Sequence, residues 1–322
     1  MDYLIIGAGS IGSALGANLQ KNGFSVTLVA NSEHTKQINQ NGLSVVTQDG
    51  SFKVKIPCFD SIENIRISEK TIILMTMKFD RRFEKTLLEM KEKGFCENPI
   101  VCFQNGVEAE KIAMKYCSKL YGGVARMTCT IRKWGELSYA KQGIFIVGKY
   151  PSGTDEICDK IKANLENVGF KIGIAPEIIS DEYLKILVNL NSATHALFKN
   201  ITENPVKLAE IKFNVLREGI EVFEKAGINP YPSCGLGSTK EEMLENFKEP
   251  KEQKFRFQTY NSTWQNLYWQ KEDTETKYFN GLVISLGREL GITTPYNERI
   301  CELVAKAHTE KLGPDYFDIN IF

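Results

Sequence analysis

Lys185, Asn189 and Ser192 sit four and three residues apart inside a run, Ser180 to Leu197, that reads as one helix, so the three share a face. Set among Leu184, Leu187, Val188 and Leu190, such a polar stripe is half buried and needs partners. Partial desolvation lowers an ammonium's pKa toward the working range, which makes Lys185 a candidate general acid. The competing reading is a surface lysine on an amphipathic helix, with Ser180 as N-cap and Asp181 and Glu182 in the first turn. A second constellation opens the chain. Leu4, Ile5 and Ile6 form a short apolar run, and Gly7, Gly9 and Gly12 follow at once. In that order the glycines allow a tight turn, a pyrophosphate against bare backbone, and a helix packed close on its strand. Gly7, Gly9, Ser10, Ile11 and Gly12 are therefore the candidate dinucleotide-binding residues, with phosphate on the helix N-terminus.

The elements that must position these residues follow from periodicity. A second strand, Ser25–Ala30, completes a βαβ context after Asn22-Gly23. Lys70–Met77 reads as a strand, Arg82–Lys93 as a helix closed by Gly94, and Pro99–Phe103 as another strand, an alternation that predicts a doubly wound parallel sheet. Ligands of such sheets bind outside the carboxyl ends of the strands, where Lys78 and Gln104-Asn105-Gly106 fall. Lys78 reaches a phosphate or carboxylate there, or is a solvated lysine; Asn105-Gly106 is also an ordinary turn pair. Glycine-punctuated runs between Gly122 and Gly148 suit antiparallel additions at the sheet edge, before a last helix, Asp155–Asn167, and a last strand, Phe170–Ala175. After Pro176 the texture changes to long helices. The division expected is 1–176 for the dinucleotide-binding domain and 177–322 for a helical substrate-binding and catalytic domain.

Composition bounds the class. A chain of 322 residues is long enough for about two domains, and 40 Lys+Arg against 40 Asp+Glu argues against a nucleic-acid or anionic-membrane partner. Eight cysteines without a CxxC pair read as reduced, mostly buried thiols, and no metal is expected. With no leader and no apolar run of ~20 residues, the expected location is the cytoplasm. His195 reads as a packed or capping histidine. Leu282, Leu286 and Leu303 serve a homodimer or only the core, and Arg256, Trp264, Tyr268 and Trp269 read as local aromatic packing.

The order of motifs carries a resemblance. The glycine loop, Lys78, Gln104-Asn105-Gly106, Tyr183-x-Lys185-x-x-x-Asn189, Asn261-Ser262-Thr-Trp-Gln265-Asn266, Thr274-Glu275-x-x-Tyr278-x-Asn280-Gly281 and Leu290-Gly291-Ile-Thr-Thr-Pro295-x-Asn297 together resemble the ketopantoate reductase (2-dehydropantoate 2-reductase) family almost end to end. The resemblance implies an N-terminal Rossmann domain and an all-helical C-terminal domain like that of 6-phosphogluconate dehydrogenase. It also implies NADPH-dependent reduction of 2-dehydropantoate to (R)-pantoate, a step of pantothenate and coenzyme A biosynthesis. By the same resemblance Lys185 protonates the ketone oxygen as hydride arrives. Asn189 and Ser262 hold the 2-oxo acid, Asn105 lies at cofactor and substrate, Glu275 lies beside the cofactor ribose and substrate, and Lys78 contacts the cofactor.

Three departures qualify the resemblance. Ala193 stands where the family usually has a second asparagine, and Ser192, about 20° around the helix, is the candidate replacement. One residue is added between Gln265 and Glu275, and Lys277 replaces an acidic residue. Asn31, followed by Ser32, stands where an arginine commonly meets the 2′-phosphate. No carboxylate sits at that strand end to hold the ribose hydroxyls of NAD, so NADP(H) is the cofactor expected, with Asn31 and Ser32 as donors to phosphate. Alternatives are a reductase of another 2-oxo acid, an opine-type dehydrogenase, or a non-catalytic dinucleotide sensor.

Overall fold

In strand β1 (Asp2–Ile6) side chains alternate between two cores: Tyr3 and Ile5 pack on one face of the sheet, Leu4 and Ile6 on the other. A strand buried on both sides requires helices on both sides, and the chain supplies them. The computed structural model describes residues 2–250, 260–271 and 275–322. Its contacts separate two units, Met1–Ile179 with Ser233–Leu236, and Ser180–Pro232 with Gly237–Phe322. The return of Ser233–Leu236 to the first unit has no signature in composition. There Cys234 and Leu236 pack on the small core of Val124, Ile146, Ala175 and Ile178.

In chain order the first unit runs β1, α1 (Ser10–Lys21), β2 (Ser25–Val29), α2 (Ser32–Asn41), β3 (Leu43–Thr47), β4 (Gly50–Val54), β5 (Cys58–Phe59) and β6 (Ile72–Met75). It continues with α3 (Arg81–Glu92), β7 (Ile100–Cys102), α4 (Ala109–Ala113), β8 (Leu120–Arg126), β9 (Cys129–Lys133), β10 (Glu136–Tyr139), β11 (Ile144–Lys149), α5 (Glu156–Asn167) and β12 (Lys171–Ile174). Strands β5-β2-β1-β6-β7-β8 are parallel neighbours in that order, the Rossmann arrangement, and its reversal point lies between β1 and β6. The expected antiparallel additions need correction. β8 is parallel to β7, β11 alone runs antiparallel to β8, and β12 pairs parallel with β11. β9 and β10 leave this sheet altogether and join β3 and β4 in a second sheet, ordered β4-β3-β10-β9. The second sheet has a physical purpose. Every residue of α1 from Gly12 to Leu19 is buried, so the helix needs cover on its outer side as well, and Leu43, Val45, Leu137 and Tyr139 provide it.

A buried polar path supports the glycine loop. The Ser13 hydroxyl donates to the Ala8 carbonyl (3.1 Å) and lies 3.2 Å from His34 Nε2, while His34 Nδ1 accepts from the Gly135 amide (3.0 Å). Since Nδ1 is an acceptor, the neutral ring carries its proton on Nε2 and donates to Ser13. Burial pulls the His34 pKa from 6.5 down to about 4, so the ring stays neutral at pH 7.

The second unit is helical: α6 (Ile178–Asn189), α7 (Thr194–Leu197), α8 (Pro205–Lys225), α9 (Lys240–Lys248), α10 (Ser262–Tyr268), α11 (Thr276–Leu290) and α12 (Pro295–Thr309). The single helix expected from Ser180 to Leu197 is broken. α6 ends at Asn189, the Ser192 amide turns back to the Asn189 carbonyl (2.9 Å), and α7 begins at Thr194. Local side chains compete for the backbone here: Thr194 Oγ1 donates to the Asn191 carbonyl and Asn191 Nδ2 to that of Lys212. Ser180 is not the N-cap either; α6 starts earlier, and the Ser180 hydroxyl exchanges hydrogen bonds with the Tyr231 backbone. Val188 is exposed and Leu303 is a core residue, while Leu282 and Leu286 are half-buried.

One polar network holds this unit. Glu218 of α8, 3 % exposed, accepts from the backbone amides of Tyr296 and Asn297 at 3.0 Å each, supplying an anion at the N-terminus of α12. Asn297 Nδ2 donates to Glu218 (2.8 Å) and to the Val215 carbonyl (3.0 Å), while its Oδ1 accepts from Asn280 Nδ2 (2.9 Å). Asn280 Nδ2 also reaches the carbonyl of Leu190, one residue past the end of α6 (3.1 Å).

Two outcomes are expected. Asn297→Leu keeps the volume but leaves a buried carboxylate and amide short of partners, costing about 3 kcal/mol in urea unfolding; a loss below about 1 kcal/mol would show that the network contributes little. His34 binds a proton less readily folded than unfolded, so its contribution is complete above pH 6.5 and is lost as pH falls toward 4, by up to roughly 3 kcal/mol. His195, pulled to about 4 mainly by burial and secondarily by Lys212, acts in the same window. The melting temperature of His34→Gln, which keeps an acceptor and a donor, should therefore depend less on pH between 7 and 5 than that of the wild type; an equal slope would contradict the assignment.

Candidate active site

The glycine loop joins β1 to α1 at the reversal point of the sheet. Gly7 has φ +98°, and a Cβ there would run into the Met77 backbone, so only glycine fits. A Cβ on Gly12 would collide with Thr76 Oγ1 and lie 2.7 Å from the Gly7 carbonyl, so α1 can approach β1 and β6 only because the side chain is missing. Gly9 is different. A Cβ there would meet nothing nearer than the Gly7 carbonyl at 3.9 Å, so its bare side is open space. Helices α2, α3 and α5 are capped by the side chains of Asn31, Asp80 and Asp155. At α1 no side chain caps the end and no acidic residue stands in the first turn, so the amides of Ser10 and Ile11 are presented toward an anion.

Three neighbouring strand ends converge on this loop. The Thr76 hydroxyl donates to the Gly7 carbonyl (2.9 Å), and the half-buried Lys78 follows two residues later. Gln104 is 6 % exposed and donates from Nε2 to the carbonyls of Met75 (3.0 Å) and Met77 (2.9 Å), so it clamps the chain that leads to Lys78; the half-buried Asn105 follows it. Beyond β2, Asn31 accepts from the His34 amide as the N-cap of α2 (2.9 Å), which commits its oxygen and leaves its NH₂ as the donor. Ser32 has a neighbour that sequence reasoning missed. β5 pairs with β2 and delivers Asp60, whose carboxylate accepts from the Ser32 hydroxyl at 3.4 Å. The expectation that no carboxylate sits at this strand end is therefore corrected. The missing signal was long-range, since a two-residue strand is invisible to periodicity.

In the helical unit Lys185 is half-buried on α6 and Asn189, at the end of that helix, is 9 % exposed. Ser192 lies in the turn beyond, so its direction is not set by helical spacing. It is tied instead to the start of α10: Asn261 Nδ2 donates to the Ser192 carbonyl (2.9 Å) while Asn261 Oδ1 caps the amide of Trp264 (2.9 Å), which brings the Ser192 turn and Ser262 together. Glu275 is half-buried at the N-terminus of α11. Ala193 is 1 % exposed, and its carbonyl takes the amides of Ala196 and Leu197. Lys277 is exposed, with Nζ 4.7 Å above the Tyr278 ring. The aromatic segment is a stack, Tyr260 on Trp264 at 3.7 Å and Trp264 on Tyr268 at 5.1 Å, with Trp264 Nε1 donating to Asp315. Arg256 and Thr274 lie outside the described residues. Among the described residues no three His, Cys, Asp or Glu side chains are grouped to hold a metal ion, and no helix is long and apolar enough to cross a membrane.

Two sequence profiles match the chain, one described as ketopantoate reductase PanE/ApbA over residues 3–152 and one as its C-terminal part over residues 177–308. A 2-dehydropantoate 2-reductase of Pyrococcus horikoshii is 25% identical over 310 residues, 94% of this chain and 96% of that protein. One from Archaeoglobus fulgidus is 27% identical over 305 residues, 93% and 95% of the two chains. Among solved structures, a PanE/ApbA family ketopantoate reductase from Ralstonia eutropha superposes with a TM-score of 0.77 at 20% identity, covering 97% of this chain and 99% of that one. A D-mandelate dehydrogenase held with NADH and anilino(oxo)acetate gives 0.78 at 21%, covering 97% and 99%. With both halves matched in order and the Rossmann and helical units in place, the chain belongs to the ketopantoate reductase family of oxidoreductases.

Proposed function

We propose that this protein reduces 2-dehydropantoate to (R)-pantoate with NADPH, the step that serves pantothenate and coenzyme A synthesis. The observation that carries the proposal is the open, uncapped glycine loop of the first unit, to which the half-buried Lys185 of the helical unit adds a candidate proton donor. Bound at the loop, the nicotinamide cofactor supplies the hydride. Gly7, Gly9, Ser10, Ile11 and Gly12 take its pyrophosphate, Asn31 and Ser32 its ribose side, and Lys78 and Asn105 complete the contact. Lys185 donates the proton that the ketone oxygen needs as negative charge builds there. Asn189 and Ser262 hold the oxo acid, the Ser192 turn stands in for the asparagine absent at Ala193, and Glu275 orients the cofactor ribose and substrate.

Mixing protein, NADPH and 2-dehydropantoate while following nicotinamide absorbance tests this. Oxidation supports the proposal; oxidation only with other 2-oxo acids moves the substrate, and binding without oxidation makes the protein a sensor. Asp60 favours a second reading of the cofactor, because a carboxylate beside Ser32 suits the ribose hydroxyls of NADH and repels a 2′-phosphate.

Lys185→Ala should lower kcat by ~10²–10⁴-fold with little change in cofactor affinity, and Lys185→Arg should not restore it, because guanidinium does not release its proton. A folded Lys185→Ala enzyme with wild-type kcat would make Lys185 an ordinary helix lysine. Asn31→Arg should raise kcat/KM for NADPH relative to NADH, at a cost of about 1 kcal/mol for the lost N-cap. An unchanged ratio would remove Asn31 from the ribose site.

A further inference from the structure

Cys96 and Cys117 are far apart in sequence yet meet inside the first unit, Sγ to Sγ at 2.7 Å. Cys96 lies in a short 3-10 turn, Phe95–Glu97, between α3 and β7, and Cys117 follows α4 just before β8. Both are nearly buried, at 3 % and 4 % exposure, in the core formed by Phe83, Leu87, Met90 and Ile100. The separation is well inside ordinary contact between unbonded sulfurs and roughly 0.7 Å beyond a covalent S–S bond of ~2.05 Å. Adjacent parallel strands β7 and β8 hold both ends in place through the register Ile100↔Leu120.

We propose that Cys96 and Cys117 are a modification site that closes to a disulfide when the protein meets hydrogen peroxide. Cys117 donates its S–H to Cys96, which stabilises Cys96 as thiolate and lowers its pKa while raising that of Cys117. Cys96 is accordingly the nucleophile. Its sulfur attacks one peroxide oxygen, the O–O bond breaks, and a sulfenic acid forms while the departing hydroxide takes up the proton that Cys96 gave up, as a first water. Cys117, as its proton is lost, attacks that sulfur and expels hydroxide, which takes up the proton as a second water. Two thiols thus give up two electrons to one peroxide molecule, and the products are one disulfide and two waters. A small oxidant suits a buried pair, which larger disulfide reagents reach only by opening the core.

The bond would staple the amino ends of β7 and β8, whereas Gln104 and Asn105 lie at the carboxyl end of β7. It should stabilise the fold and leave catalysis alone. After treatment with hydrogen peroxide, thiol titration of the unfolded protein should fall from eight to six, and peptide mapping should recover Cys96 linked to Cys117. Closing a loop of about twenty residues should raise the melting temperature by about 5–10 °C, reversibly with dithiothreitol, with kcat changed less than twofold. Cys117→Ala should form no Cys96-linked disulfide within the chain and show no rise in melting temperature. Recovery of both residues as free thiols or as sulfinic acids, or of a different linked pair, would overturn the proposal. Peptide mapping of the wild type decides it even if the variant fails to fold.

Discussion

The close approach of α1 to β1 and β6 is the constraint on which the first unit depends. At Gly12 a single methyl group would collide with Thr76, and at Gly16 it would come within 2.7 Å of Leu28, so the helix could not seat on the sheet. Seated there, α1 presents its first amides at the loop and is itself covered by the second sheet, whose turn holds His34 and, through Ser13, the carbonyl of Ala8. Gly7 is pressed in the same way by the Met77 backbone, whereas Gly9, between it and Gly12, is the open position. The loop is thus shaped by what presses on two of its glycines and by what does not press on the third.

The helical unit solves a different problem. A half-buried lysine at one end of a helix is useful only if that end is fixed, and α6 breaks into a turn four residues past Lys185. The Leu190 carbonyl in that turn is held by Asn280, which is held by Asn297, which is held with the start of α12 by Glu218. Asn261 fixes the turn from the other side through Ser192. Both anchors are asparagines: Asn280 donates through Nδ2 to two partners, and Asn261 donates through Nδ2 while its Oδ1 accepts, a requirement no apolar residue could meet.

Legibility in the sequence followed the range of the interaction. The glycine loop, the buried strands and the capped helices rest on neighbours in sequence, and Gly7, Leu4–Ile6 and the αβ alternation announce them. The break at Asn189 escaped because Leu190-Asn191-Ser192 keeps a helical apolar pattern, while the Asn191 side chain donates to backbone on α8 and the Ser192 carbonyl accepts from Asn261, the N-cap of α10. Asp60 escaped for the same reason, since only the pairing of β5 with β2 brings it to Ser32. The second sheet joins the hairpin β3–β4 to β10 through pairs such as Ser44 with Glu136, a separation in sequence that no local pattern encodes. Asn280 and Asn297 were visible as parts of motifs, but their meaning required Glu218, and a lone glutamate on an amphipathic helix reads as solvated surface.

The central claim is that hydride passes from a nicotinamide to the 2-oxo carbon while a lysine supplies the proton. Its most direct test is isotopic. With reduced cofactor deuterated at the transferred C4 position and 2-dehydropantoate in ordinary water, mass spectrometry of the product should show pantoate one mass unit heavier, with the deuterium at C2. Pantoate formed without the label, or label appearing at any other carbon, would contradict the account.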